Sequence, residues 1–159
     1  MLGLDDSFER VVVPVSGQAD DEHALSVALR LAPKQAFSLT LLYVVEVAQS
    51  IPLDAELPLD LAAGETALTR AEAIARGVGG KALAVTTELL QSRSRGAAIV
   101  DEAVARGADA IVMTATVQRK HGRPTLGETV HYVMMHALCQ VIVVRLPTVR
   151  DAIWDPGWR

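Results

Sequence analysis

Two short apolar runs constrain the topology of this chain more tightly than any other feature. Ala110-Ile111-Val112-Met113 and Val141-Ile142-Val143-Val144 are each the length of a buried strand and rich in aliphatic side chains. Between them lies a segment of helical period that opens at Gly127, with Leu126, Val130, Val133, Met134 and Ala137 recurring on one face. Strand, helix and strand in this order predict a parallel βαβ unit whose strands are covered on both faces. In open sheets of this kind, ligands sit beyond the carboxyl ends of the strands, where helix N-termini present free N–H groups. The connection from Thr114 to Thr125 reads as a loop at that place. It carries the densest positive charge in the chain, Arg119-Lys120-His121-Gly122-Arg123.

The same alternation extends to the rest of the sequence. Residues 10–15 form a β-branched run, and Pro14, lacking an N–H, predicts that the ladder fails at that end. Asp20 or Asp21 is placed to cap a helix whose face is Ala24, Val27, Ala28 and Leu31, and Pro33 ends it. Phe37 to Val45 reads as a second strand. Residues 46–60, with Pro52 and Pro58, read as a loop with a partial helical turn, either a lid over a ligand site or a connection packing its own leucines. A helix follows to about Arg76, with Ala67, Leu68, Ala71, Ile74 and Ala75 inward, and Gly77, Gly79 and Gly80 stop it. Leu83 to Leu90 is a third strand. Gln91 to Gly96 then forms a second basic loop carrying Arg93 and Arg95, before a helix with the face Ala97, Val100 and Val104, closed by Gly107. The expected fold is α/β: a doubly wound, five-stranded parallel sheet with helices on both faces. It occupies residues 1–146, followed by a tail, 147–159, that holds Trp154 and Trp158.

Composition narrows the function classes. A chain of 159 residues suits one domain, and half of it is hydrophobic with only 4% aromatic. A formal net charge of −4 gives no general attraction to nucleic acid. One cysteine rules out an internal disulfide and suits a reducing compartment. No stretch has the length of a membrane span, and Met1 to Glu9 lacks the apolar core of a signal peptide. The expectation is a cytoplasmic protein that is not membrane-embedded.

The chain resembles the universal stress protein family over about residues 9 to 146. Arg10-Val11-Val12-Val13-Pro14-Val15 is similar to the family's first strand and Leu41-Leu42-Tyr43-Val44-Val45-Glu46 to its second. Gly107-Ala108-Asp109-Ala110-Ile111-Val112-Met113 fits the aspartate and strand that precede the family's Gly-x-x-Gly-x9-Gly-Ser/Thr motif. Leu126-Gly127 fits its third glycine, and His136-Ala137-Leu138-Cys139-Gln140-Val141-Ile142-Val143-Val144 fits its closing turn and strand. The resemblance implies strand order 3-2-1-4-5 and a homodimer through the last strand, Val141 to Val144, whose open edge would otherwise invite aggregation. It also implies an adenine nucleotide across the ends of strands one and four. Pro14, Val15 and Ser16 would then end strand one, Val44 and Met113 would flank the base, and Thr114, Gly127, Glu128 and Thr129 would surround the ligand. Arg119, Lys120 and Arg123 would grip its phosphates.

Departures from the family pattern bear on which nucleotide. Its first two glycines fall at Thr114 and Val117, the Ser/Thr at Glu128, and the aspartate that ends strand one in ATP-binding members at Ser16. Glycines there let backbone N–H groups approach phosphates closely; Val117 does so at a cost, and Glu128 sets a carboxylate where phosphate oxygens would sit. AMP or a cyclic adenine nucleotide is therefore expected ahead of ATP. An Arg/Lys-rich loop in place of the glycines is similar to stress-protein domains attached to membrane transporters, whose Thr-Val-x-Tyr-Val helix looks like Thr129-Val130-His131-Tyr132-Val133. A transporter is thus a candidate partner.

Each candidate has a plainer reading. The Arg119–Arg123 cluster is either an anion grip or a solvated loop, Ser16 a ribose contact or a turn cap, and Val44 and Met113 a base platform or core. Catalysis finds little support. No strained Gly-x-Ser-x-Gly turn encloses Ser16, nothing fixes His23 beside it, and His131 and His136 are five apart, a poor spacing for a metal. Two functions remain: a ligand sensor that is not an enzyme, or a nucleotide-free dimeric interaction module using its dimer surface and the Trp154/Trp158 tail.

Overall fold

A computed structural model describes residues 8–32, 36–80 and 83–147. The elements run β1 (Arg10–Pro14), α1 (Asp21–Leu31), β2 (Phe37–Glu46), α2 (Pro58–Gly79), β3 (Leu83–Ser92) and α3 (Arg95–Ala105). They continue with β4 (Ala110–Thr116), β5 (Gln118–Lys120), β6 (Arg123–Thr125), α4 (Glu128–His136) and β7 (Gln140–Leu146). Five strands form one sheet in the order β3-β2-β1-β4-β7, every neighbour parallel. These are the five strands and the order expected, with β7 as the last strand.

The alternation of strand side chains divides the core between the two faces. Val11, Val13, Val15, Leu39, Leu41, Ala110 and Val112 face α1 and α2. Val12, Leu42, Val44, Ile111, Met113 and Ala115 pack on the other side with Ala98, Ile99 and Ala103 of α3 and Val130 and Val133 of α4. Val13, Leu41, Leu42, Ile99, Ile111, Val112 and Val133 have no measurable exposure. This double cover accounts for the near-continuous apolar runs in the central strands.

The sheet is stitched at one edge and parted at the other. At the amino edge, the Asp109 carboxylate accepts from the backbone N–H groups of Glu9 and Arg10, both at 2.8 Å, and the Asp109 N–H donates to Arg10 O at 2.7 Å. At the carboxyl edge, β1 pairs with β2 as far as Pro14, but with β4 only through Val11 and Val12. Successive residues of a strand point their N–H groups to opposite sides. The Val15 N–H goes to Leu42 O on β2, at 2.9 Å, so the position of Pro14 is one that would have served β4. Proline offers nothing there, and the two central strands separate.

Several details differ from the sequence reading. The Thr114–Thr125 segment is not simply a loop: β4 runs on to Thr116, and β5 and β6 form an antiparallel hairpin around His121-Gly122. Both turn residues have positive φ, 52° and 76°, the geometry of a two-residue hairpin turn. The buried face of α3 is Gly96, Ala98, Ile99 and Ala103, whereas Val104 is 56% exposed. A Cβ on Gly96 would stand 2.8 Å from the Tyr132 Cβ, so the glycine is what lets α3 and α4 approach. Met134 is likewise 56% exposed and faces away from the core. Neither Asp20 nor Asp21 caps α1 as expected. Asp20 occupies the cap position without a side-chain bond, and Asp21 turns back to the preceding loop. The tail with Trp154 and Trp158 lies outside the described residues, as does Pro33.

Candidate functional site

Where β1 and β4 part, a cleft of about 830 Å³ opens, within the range of small-molecule sites. This is the point at which the sheet order reverses, β1 leading outward to β2 and β4 to β7. Along it lie Pro14 at the end of β1, Val15 and Ser16 just beyond it, and Met113 to Thr116 of β4. The first turns of α3 and α4, which pack together on one face of the sheet, line it side by side, and residues of the β5–β6 hairpin complete the lining.

Of the residues expected at the site, Pro14, Val15, Ser16, Met113, Thr114, Arg119, Lys120, Gly127, Glu128 and Thr129 line the cleft together. Val44 and Arg123 do not. Val44 is buried at 5% exposure in the α3/α4 half of the core. Arg123 is exposed on β6, opposite Lys120, and only the β5 side of the hairpin supplies cations to the cleft. Sequence reasoning missed Glu46, Ser94, Gly96 and Tyr132, which also line it. For Ser94 a signal existed, a serine just ahead of an apolar-periodic segment being a helix cap.

Polar groups around the cleft fall into two sets. On one side the protein answers its own donors. The Asp21 carboxylate, 8% exposed as a residue, accepts from Ser16 N and Gly17 N at 2.8 Å each and from Ser16 Oγ at 3.0 Å. At α3, Ser94 Oγ accepts from Ala97 N at 3.2 Å and Glu46 Oε2 from Arg95 N at 3.1 Å. On the other side, α4 begins at Gly127 with φ 93° and no side-chain cap. Thr125 Oγ1 accepts from Gly127 N at 3.1 Å, and the helix's first turn beyond it faces the cleft. Glu128 does not fill that turn: its side chain is 90% exposed and pairs with Lys120 Nζ at 3.2 Å. Arg119 Nη1 donates to Gly122 O at 3.3 Å within the hairpin.

This arrangement suits an anion at α4 beside Arg119 and Lys120, with an apolar floor for a flat group. Nucleophilic chemistry is poorly served. The Ser16 hydroxyl donates to Asp21, His23 is exposed and forms no bond to it, and burial pushes the Cys139 thiol up from its ordinary value. Among the described residues no three His, Cys, Asp or Glu side chains are grouped to hold a metal.

Residues 7–145 match the model of the universal stress protein family. The sequence is similar to a universal stress protein of Methanocaldococcus jannaschii, 29% identical over 146 residues covering 88% of this chain and 84% of that one. The fold is similar to that of the universal stress protein from Archaeoglobus fulgidus in complex with dAMP. The TM-score is 0.68 at 20% identity, over 87% of this chain and 98% of that one. It is similar also to a universal stress protein family protein from Arabidopsis thaliana with AMP bound, with a TM-score of 0.61 at 17% identity over 94% of this chain and 99% of that one.

Proposed function

The chain belongs to the universal stress protein family, and on that premise we propose that it is a regulatory, non-catalytic domain that binds AMP or a cyclic adenine nucleotide. The observation that carries this reading is the uncapped first turn of α4, open to a cleft at the switch point of the sheet and flanked by Arg119 and Lys120. Relatives of the same fold were solved with dAMP and AMP, which supports the ligand class. The base would lie on Pro14, Val15 and Met113, and the phosphate at Gly127, Glu128 and Thr129.

ATP is the weaker ligand in this proposal. Thr114, at the first motif-glycine position, is paired with Val144 within the β4–β7 ladder, and Val117 joins β4 to the hairpin. Thr114 is thus committed to the sheet, and the β-branched Val117 admits a phosphate to its backbone less closely than a glycine would, leaving fewer donors for a longer polyphosphate. A thermal-shift series with AMP, cyclic AMP, ATP and inorganic phosphate tests this, because a ligand specific to the folded state raises the midpoint by mass action. A rise for an adenine monophosphate that exceeds the rise for ATP supports the proposal. Equal rises for all four, phosphate included, reduce the site to a basic rim, and no rise removes the nucleotide.

We also propose a homodimer through β7. Val141 to Val144 are half-buried on an edge strand, and Met134 and Met135 of α4 and Leu138 of the turn before β7 are 56%, 67% and 86% exposed. These exposed apolar side chains favour the second reading, a nucleotide-free interaction module. Light scattering of the protein and of Val143→Lys distinguishes a dimer from a monomer. No helix among the described residues is long and apolar enough to cross a membrane, and the lone cysteine suits the cytoplasm as the working compartment. A membrane transporter remains the proposed partner on the sequence pattern alone. Within Thr129–Val133, Val130 and Val133 are buried and Thr129 and Tyr132 face the cleft, so of these five only the exposed His131 is available for docking.

A further inference from the structure

Arg93 stands apart from the other cations at the cleft. It lines the cleft in a half-buried position at the end of β3, and its Nη1 donates to three carbonyls of the β2–α2 connection. These are Ile51 O at 2.6 Å, Ala48 O in a shorter bond, and Val47 O at a longer 3.5 Å. Two residues earlier, Gln91 Nε2 donates to Leu53 O at 3.0 Å and Ala55 O at 3.1 Å, and Val47 N donates to Ser92 O at 2.8 Å. Residues 47–55 are thereby fastened to the carboxyl end of β3.

A guanidinium carries five donors in a planar fork, and these carbonyls engage only those of Nη1. Nε and Nη2 have no protein acceptor among the described residues, and no ion pair there includes Arg93. Its charge is met by carbonyl dipoles alone. From this we infer that Arg93 is a further anion-binding residue of the cleft, beside Arg119 and Lys120, and that it couples ligand binding to the order of residues 47–55. The inference rests on the proposed reading that the cleft takes an anionic ligand.

Orientation separates Arg93 from Arg119 and Lys120 on the hairpin. An exposed long side chain gives up rotamer freedom when it binds, whereas the loop carbonyls already hold Arg93 in one arrangement. A phosphate accepting from Nε and Nη2 completes a bidentate contact that a lysine cannot reproduce. A ligand favouring the docked guanidinium must stabilise the docked loop by the same factor, since the linkage is reciprocal.

Amide hydrogen exchange with AMP titration, on the wild type and on Arg93→Lys, tests the coupling. The probes are the Val47, Ile51 and Ala55 amides, which donate to Ser92 O, Ala48 O and Pro52 O. The expected result is slower exchange at all three when AMP binds the wild type. Arg93→Lys should bind AMP at least tenfold more weakly and lose the ligand-dependent slowing. A readout that needs no variant is the Arg93 Nε–H resonance, which should move on titration with AMP. AMP binding with unchanged affinity in Arg93→Lys, a still Nε–H resonance and indifferent loop amides overturns the inference and leaves the cleft reading intact. Failure of both AMP and inorganic phosphate to bind the wild type overturns the two together.

Discussion

Helices α3 and α4 begin at the same cleft and begin differently. At α3 the donors of the first turn meet Ser94 Oγ and the Glu46 carboxylate, both supplied by the chain. At α4 the cap is a glycine with φ 93° and no side chain. Every helix starts with four N–H groups that its own carbonyls cannot reach. Where the chain answers them, the helix end contributes to stability. Where it does not, the helix end keeps its affinity for an outside anion. Comparing the two ends separates what holds this domain together from what it would offer the proposed ligand.

The strongest test of that division is Gly96→Val, at the closed end. The new side chain meets Tyr132 across the α3–α4 contact, where even a Cβ stands 2.8 Å away. The expected loss is about 1–3 kcal/mol of stability, read as a lower denaturant midpoint with an unchanged slope. Next is Arg119→Ala combined with Lys120→Ala, at the open end. Charged hydrogen bonds contribute about 1.5–3 kcal/mol to binding, so AMP affinity should fall tenfold or more by calorimetry while the melting temperature of the free protein barely moves. Equal losses in both measurements would break the comparison.

Ser94→Ala is smaller and of opposite character. It should cost about 1 kcal/mol, a drop of roughly 3 °C in the melting temperature, with far less effect on nucleotide affinity than the hairpin pair. Smallest is Glu128→Gln, which removes an exposed pair with Lys120. Stability should stay within about 0.5 kcal/mol, and AMP affinity should rise slightly as Lys120 is released and a negative charge leaves the mouth.

The layered architecture was legible because it depends on bulk and period. Runs such as Val11-Val12-Val13 and Val141-Ile142-Val143-Val144 have few other uses, and Pro14 announced the end of its own ladder. The hairpin was not, since Gln118-Arg119-Lys120 and Arg123-Pro124-Thr125 are short and polar, and its turn is His-Gly rather than the usual Asn-Gly or Asp-Gly. The face of α3 was misread because its closest contact is made by Gly96, a residue without a side chain, while the valines that suggested a face include the exposed Val104. At the cleft, the residues near the strand ends could be placed by counting. Glu46 could not, because its role depends on which backbone group another segment brings within reach, and for Arg93 the basic loop after the third strand was legible but its hold on the carbonyls of residues 47–51 was not.

Pro14 carries a kinetic consequence. An ordinary residue there could donate across to β4 and let the central strands zip together, so that a ligand would first wait for them to part. A proline removes that competing closed form outright, and thermal motion cannot restore it. In the proposed reading the floor of the cleft is held open by the chain itself, and association should proceed without a slow, ligand-independent opening step.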